Sequence, residues 1–452
     1  MITTPIFTRL LTTDEFGKFN AFNSWYGIVT VIISLQLSGG VHQQGLVKFD
    51  DKQNEFSSSL QGLTTVMVSV WLVIYISFKD FWNSVFSLST VQTLAMLLMV
   101  QTSAAFHFWA NEQRVRYKYR ALVIVTVAVS IAKPLLGIIL VISSSDKVTA
   151  RIIGLALVEL LAYSYLYVLQ MKRGKKFFHA YFWKYAVLFN LPLVPHYLSQ
   201  TVLNNADRIM IQNIVGDSEA GIYSLAYSVA SIMILFNTAL SQTMAPWIYQ
   251  KIKEHKSEEI SSIGYTSIII IAAVNIILMV LAPEVVAIFA PEEYFDAIWI
   301  IPPVAMGSLF LYTYDLFAKF AFFYEKTFFV MVISVFGAGL NIILNYIFIG
   351  SYGYIAAGYT TLLCYIVYAV GHYLYMLYIC RKYNDAVYPY NSKTLLIIAL
   401  IFIGLGFVIL MTYNYPLIRY TVVILFAVLT FVFRKRIKES LMLIIKIRKK
   451  KT

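Results

Sequence analysis

The sequence predicts an all-α, polytopic membrane protein, and three observations carry that class. Of 452 residues, 59% are apolar and 13% charged, against roughly 25% charged in an ordinary soluble domain. The apolar residues gather in runs near 20 residues, the length that crosses a hydrocarbon core about 30 Å thick. Lys and Arg fall between those runs in alternately rich and poor loops. The same composition excludes other classes. Two Cys cannot staple a secreted scaffold, and so apolar a chain is not disordered. A net charge of +13 would suggest nucleic acid in a soluble protein. Here the basic residues sit in short clusters beside apolar stretches, which points to anionic headgroups and cytoplasmic retention instead. No nucleic-acid partner is expected.

Taken in order, the spans read 20–40, 60–78, 85–105, 121–141, 152–170, 186–212, 221–247, 263–281, 297–323, 328–349, 355–379, 395–411 and 418–433, thirteen in all. Ahead of them Met1–Leu11 is apolar but too short to cross, and reads as the tail of a further helix truncated at its start. It has no basic leader region or cleavage site, so it is not a signal peptide. Pro192 and Pro195 predict a bend in the 186–212 span. Loops are short; the longest, from Val41 to Ser59, runs about 19 residues, and no extramembrane domain is expected.

Orientation follows from the loop cations. One set of loops and the C-terminal tail hold 27 Lys and Arg, the alternating set holds seven, and Lys133 and Lys319 fall within spans. The rich side reads as cytoplasmic, which also places both termini of the full-length form there.

The chain contains an internal repeat. Leu10-Leu11-Thr12-Thr13-Asp14-Glu15-Phe16-Gly17-Lys18-Phe19 aligns without gaps, 204 positions on, with Ile214-Val215-Gly216-Asp217-Ser218-Glu219-Ala220-Gly221-Ile222-Tyr223. An even number of helices separates the copies, so the halves would be parallel repeats about an axis along the membrane normal, a transporter architecture. In the motif itself Thr12-x-x-Glu15 reads as a capping box, with Gly17 easing close helix approach. Glu15 and Glu219 are thus helix caps and not catalytic carboxylates.

The run Thr-Pro-x-Phe-Thr-Arg-Leu-Leu at 4–11 with Glu15-x-Gly17, and Asn205-Ala206-Asp207-Arg208-Ile209-Met210-Ile211 followed by Glu219-Ala220-Gly221-Ile222-Tyr223, resemble the polysaccharide biosynthesis (O-antigen and capsule repeat-unit) flippases of the multidrug and oligosaccharidyl-lipid exporter superfamily. The resemblance implies about 14 helices in two pseudo-symmetric six-helix lobes plus two C-terminal helices, the first helix truncated here. It divides the chain into an N-terminal lobe (1–183), a C-terminal lobe (184–385) and a last pair of helices with a basic tail (386–452). It implies a bacterial inner-membrane protein whose substrate is a sugar repeat unit on an isoprenoid diphosphate.

Ionisable residues inside spans are costly and mark function. Lys133 and Glu159 lie at matching depths on neighbouring antiparallel helices, which predicts a facing pair. A static ion pair and a cavity cation with a titratable neighbour both fit. Asp315 and Lys319 stand i, i+4, acid first, the favourable order. Asp207 and Arg208, with Asn204 and Asn205, lie near the outer end of a proline-bent span. Lys133, Arg208, Arg9 and Asn204 are the candidates for a substrate cavity; Glu159, Asp315 and Asp207 are the candidates for cation coupling, by H+ or Na+. His196 reads as a buried, hydrogen-bonded histidine, and Cys364 and Cys380 as packing residues. No His or Cys spacing suits a metal. No phosphate-cradling loop occurs, so no cofactor and no catalytic residue are expected.

These residues suit a lipid-linked oligosaccharide flippase. A diphosphate and several sugars cannot cross hydrocarbon bare, and Arg or Lys in a wet cleft would hold the diphosphate. A charge of about −2 leaving a cell at roughly 100–150 mV, negative inside, gains about 5–7 kcal/mol. A cation-coupled drug exporter of the same superfamily is the second reading and would favour acids. A membrane polysaccharide polymerase or ligase is the third, disfavoured by the short outer loops. Besides the substrate and surrounding lipids, the expected assembly is a monomer, with polysaccharide-assembly proteins as candidate partners.

Overall fold

The computed structural model describes residues 3–326, 328–383, 387–421 and 424. They form helices without a strand among the described residues: α1 (Thr4–Leu10), α2 (Thr13–Ser34), α3 (Gly40–Lys48), α4 (Gln53–Ser77), α5 (Lys79–Phe86), α6 (Thr90–Val115), α7 (Tyr119–Ser143), α8 (Lys147–Gly174), α9 (Ala180–Asn190), α10 (Val194–Ile214), α11 (Asp217–Lys253), α12 (Ser257–Val280), α13 (Ala282–Phe289), α14 (Ile301–Phe323), α15 (Phe328–Tyr352), α16 (Ala356–Tyr383) and α17 (Ser392–Met411). Nine of these helices are long and apolar enough to cross a membrane, or ten counting α14 with the 3-10 segment bent 46° before it.

Of the thirteen spans read from sequence, twelve fall on described residues and each coincides with a helix. The helices expected at 20–40 and 186–212 exist, but α2 carries Lys18, Asn20 and Asn23, and α10 carries Gln200, Asn204 and Asn205. Neither is apolar enough to qualify as a span by composition. Most of the span expected at 418–433 lies outside the described residues. α2 also begins earlier than expected, because Thr12 caps it. Glu15 N–H donates to Thr12 Oγ1 at 3.2 Å and Thr12 N–H to Glu15 Oε2 at 2.9 Å, the reciprocal capping box. At the two prolines the helix changes type: α9 stops at Asn190, a 3-10 turn spans Leu191–Leu193, and α10 restarts at Val194.

The segment expected as a loop from Val41 to Ser59 is not one. α3 buries Val41, His42, Gly45 and Leu46, and α4 already begins at Gln53. His42 stacks on Phe56 and meets Phe108 edge-on, with ring centroids 5.9 and 4.8 Å away. Its Nε2 lies 2.9 Å from Ser57 Oγ. α3 is only nine residues long, too short for its buried face to show as an apolar run.

The described residues fall into two compact units. One is Ile6–Gly221. In it α6 and α7 pack on α8, α4 packs on α8 and α6, and α2 packs on α10. Arg151 of α8 is stacked by aromatic rings, with its guanidinium carbon 3.8 Å from the Phe7 centroid and 3.5 Å from that of Phe19. The other unit takes Ile222 onward with the segment ending at Pro5. There α14 and α16 form the central pair, α15 lies on α16, and α12 and α17 lie on α14. The first unit ends at Gly221 and includes α10, whose face with Asn205 and Thr201 packs against Gly27 of α2.

The repeat appears as a contact. A methyl on Gly17 would drive into the carbonyl oxygen of Asp217, four residues before Gly221. A methyl on Gly221 would drive into the carbonyl oxygen of Thr13, four residues before Gly17. Each methyl would also crowd the other glycine's nitrogen, at 2.9 and 3.1 Å. Ser218 Oγ donates to Thr13 Oγ1 at 2.8 Å beside them. The first turn of α11 therefore meets α2 through equivalent residues in reciprocal fashion, as a local two-fold relation requires.

Gly17→Ala or Gly221→Ala is expected to destabilise the detergent-solubilised protein by about 1–3 kcal/mol, the range for overpacking. Gly339→Ala, with nothing within 4 Å, should leave the thermal unfolding midpoint unchanged or raised. Burial pushes the His42 imidazole down to about 3. Its folded value is below the unfolded one of about 6.5, so the unfolded chain binds the extra proton and stability falls as pH drops from about 6.5 toward 3. His42→Gln should flatten that acid limb of a pH–unfolding profile.

Candidate functional site

In the Ile6–Gly221 unit, the embedded pair stands where depth arithmetic placed it. Lys133 Nζ lies 2.6 Å from Glu159 Oε1. The remaining oxygen accepts from Thr102 Oγ1 at 3.1 Å. Glu159 is enclosed, with a side chain 4% exposed, whereas that of Lys133 is 28% exposed. Three helices build this group: α7 supplies the amine, α8 the carboxylate and α6 the hydroxyl. α7 continues through Pro134, where the ring removes one backbone hydrogen bond.

On α10 of the same unit, Asp207 is buried. Arg208 is half-buried and donates from Nη1 to the carbonyl of Asn204, 2.7 Å away on its own helix. Asn204 and Asn205 donate to the carbonyls of Gln200 and Thr201, both at 2.8 Å. Arg9 is exposed in the last turn of α1. His196 is half-buried and its Nδ1 has no hydrogen-bond partner, which corrects the expectation of a hydrogen-bonded core histidine. Cys364 and Cys380 are free and buried.

In the unit from Ile222 onward, Lys319 pairs with the carboxylate of Asp315 and donates to Ser241 Oγ at 2.8 Å. Ser241 in turn donates to the same carboxylate. The exposures are reversed from the first pair: the Lys319 side chain is 4% exposed and that of Asp315 is 33%. One turn before Ser241 on α11, Asn237 donates to the Ser308 carbonyl at 2.8 Å. Ser308 Oγ donates to Asn275 Oδ1 at 2.9 Å. Ser241, Asn237, Asn275, Ser308 and Thr102 escaped the sequence reading. A lone hydroxyl or amide in an apolar run is common, and nothing in the run says which faces a charge.

Chemically, each group is a lysine held against a carboxylate with a hydroxyl as third member. In hydrocarbon this satisfies charges that would otherwise be prohibitive. Among the described residues no group of three or more His, Cys, Asp or Glu could hold a metal.

The polysaccharide biosynthesis protein family profile matches residues 1–250. The chain belongs to that family. A second profile, that of the MatE family, matches residues 192–347. Among curated relatives, a protein of the Lsg locus of Haemophilus influenzae is 20% identical over 262 residues, 56% of this chain and 62% of the relative. This chain thus spans less than two thirds of that relative's length. A second membrane protein of the same organism is 20% identical over 341 residues, 72% of this chain and 79% of the relative. Among solved structures, the lipid II flippase MurJ in an inward closed conformation superposes with a TM-score of 0.67 at 14% identity, covering 97% of this chain and all of MurJ. An inward-facing multidrug resistance transporter of the MATE family gives 0.62 at 11% identity, covering 85% and 95%. At such identities the likeness is one of fold. This polysaccharide biosynthesis family member is a multi-pass membrane protein whose fold is that of MurJ and the MATE transporter.

The opposite exposures make a prediction. Asp315→Asn strands a lysine that is 4% exposed, so it should lower stability by about 3 kcal/mol, as for a broken buried pair. Lys319→Gln leaves a carboxylate that is 33% exposed and still accepts from Ser241, and should cost clearly less. Thermal unfolding of the two purified variants compares them.

Proposed function

We propose that the protein is a flippase that carries an isoprenoid-diphosphate-linked oligosaccharide, an O-antigen or capsule repeat unit, across the bacterial inner membrane by alternating access. The observation that carries this reading over a drug exporter is the state of the acids. Glu159 and Asp315 are each engaged by a lysine. A site for a cationic drug wants carboxylates that the ligand itself neutralises. Acids already compensated by lysine leave the balance for an anionic headgroup. The family match over residues 1–250 supports the same substrate class, and MurJ, whose fold this chain shares, flips a lipid.

In this reading Lys133, Arg208, Arg9 and Asn204 face the diphosphate and sugars during passage. Membrane potential drives the anion outward. Glu159 and Asp207 contribute to coupling, and Asp315, the more accessible acid, is the place where H+ or Na+ exchanges. The isoprenoid tail stays in lipid, so only the headgroup needs a polar route. The rich-loop face and both termini of the full-length form lie in the cytoplasm.

Proteoliposomes loaded with a fluorescent isoprenoid-diphosphate oligosaccharide test this. Flipping should accelerate when the potential favours anion export, and Glu159→Gln should slow it at least about ten-fold while eluting as folded protein, an effect of about 1.4 kcal/mol on the barrier. Transport of a cationic dye without lipid flipping would support the exporter. Glycan elongation in the same vesicles would support a polymerase. Normal flipping by Glu159→Gln would remove that residue from the coupling.

A further inference from the structure

A groove on the Ile6–Gly221 unit runs between α6, α7 and α8 and encloses about 490 Å³. At its mouth stand Arg116, Lys118 and Arg173, at the ends of the three helices on the Lys- and Arg-rich face. Its interior is apolar, floored by Trp109, Val129 and Leu166 and opened by the small residues Ala128 and Ala162. From Tyr119 to Val129 on α7 is ten residues, about 15 Å of helix. That depth is half a hydrocarbon core of about 30 Å, a single leaflet. Among the described spans α7 is the least buried, with 11% of its apolar window covered, which leaves this side of the groove open to acyl chains.

The mouth presents three cations. Arg116 is oriented by two amides, donating from Nε to Gln53 Oε1 at 3.2 Å and from Nη2 to Asn54 Oδ1 at 2.7 Å. Those bonds fix the guanidinium without neutralising it. Among the described residues none of the three cations has a carboxylate partner within salt-bridge distance. Glu112, buried one turn before Arg116, feels both arginines. No carboxylate is among the residues that line the groove.

We propose that this groove binds an anionic phospholipid of the leaflet on the basic face. Its phosphate sits at Arg116, Lys118 and Arg173, and one acyl chain lies along Val125, Val129 and Leu166 toward Trp109. Charge complementarity selects the headgroup, and a depth of one leaflet selects the chain. Basic pockets between membrane helices recognise lipid headgroups in this way. The assignment does not depend on what the transporter carries.

Trp109 reports on the site. The full chain is reconstituted in vesicles holding equal mole fractions of brominated phosphatidylglycerol or brominated phosphatidylcholine. Quenching assigned to Trp109 is the difference from Trp109→Phe. Brominated phosphatidylglycerol should quench Trp109 more strongly. Arg173→Gln should reduce that preference about five-fold and Arg116→Gln/Arg173→Gln by about that factor again, as expected for each cation near an anionic surface. Arg116→Lys, which keeps the charge, should retain it. Equal quenching by the two lipids, or a preference indifferent to Arg173→Gln and the double variant, overturns the proposal. Relief of quenching by an equimolar unbrominated long-chain isoprenyl diphosphate also overturns it, and makes the groove a substrate site instead.

Discussion

A charge in hydrocarbon must find its counter-charge within its own packed neighbourhood, because neither water nor lipid will supply one. Much of this structure is arranged to meet that demand. Lys133, Glu159 and Thr102 come from three helices of one unit. Lys319, Asp315 and Ser241 come from two helices of the other. The neutral polar groups follow the same rule at shorter range. Thr30, Thr65 and Ser228 each donate back to the carbonyl one turn earlier in their own helix. Each unit thus arrives at its folded state with these ionic groups satisfied internally.

Close helix approach is the second constraint. Lipid provides no hydrophobic drive between helices, so small residues that let backbones meet do much of the work. Gly17 and Gly221 meet reciprocally across a local two-fold relation. Between α7 and α8 the approach is one-sided: a methyl on Gly154 would crowd the Gly137 backbone, with its Cα at 3.0 Å, whereas one on Gly137 would meet the Phe7 ring. That approach brings Lys133, one turn before Gly137, within reach of Glu159, one turn after Gly154. The ion pair and the glycine contact therefore belong to one interface.

Much of this was legible in the residues. The helix positions follow from apolar runs, the α2 start from Thr12-x-x-Glu15, the α9–α10 break from two prolines, and the Lys133–Glu159 pair from matched depth. The failures have a common physical origin. α2 and α10 are helical yet polar, so a hydropathy reading misplaces their ends. α3 is too short to show periodicity. Third members such as Thr102 and Ser241 carry no local signature, because only tertiary packing decides which hydroxyl meets a charge. The aromatic stack on Arg151 was hidden for the same reason, since Phe7 and Phe19 lie about 140 residues away in sequence, far beyond any helical repeat.

The central claim is that the embedded charges are energetically closed within their units. A double-mutant cycle on Lys133→Met and Glu159→Met, read by reversible unfolding of the detergent-solubilised protein, tests it most directly. The account predicts that the two single variants each destabilise and the double variant recovers part of the loss, with a coupling energy of at least about 1 kcal/mol. Additive losses, with no coupling, would mean the two charges do not depend on one another and would contradict it.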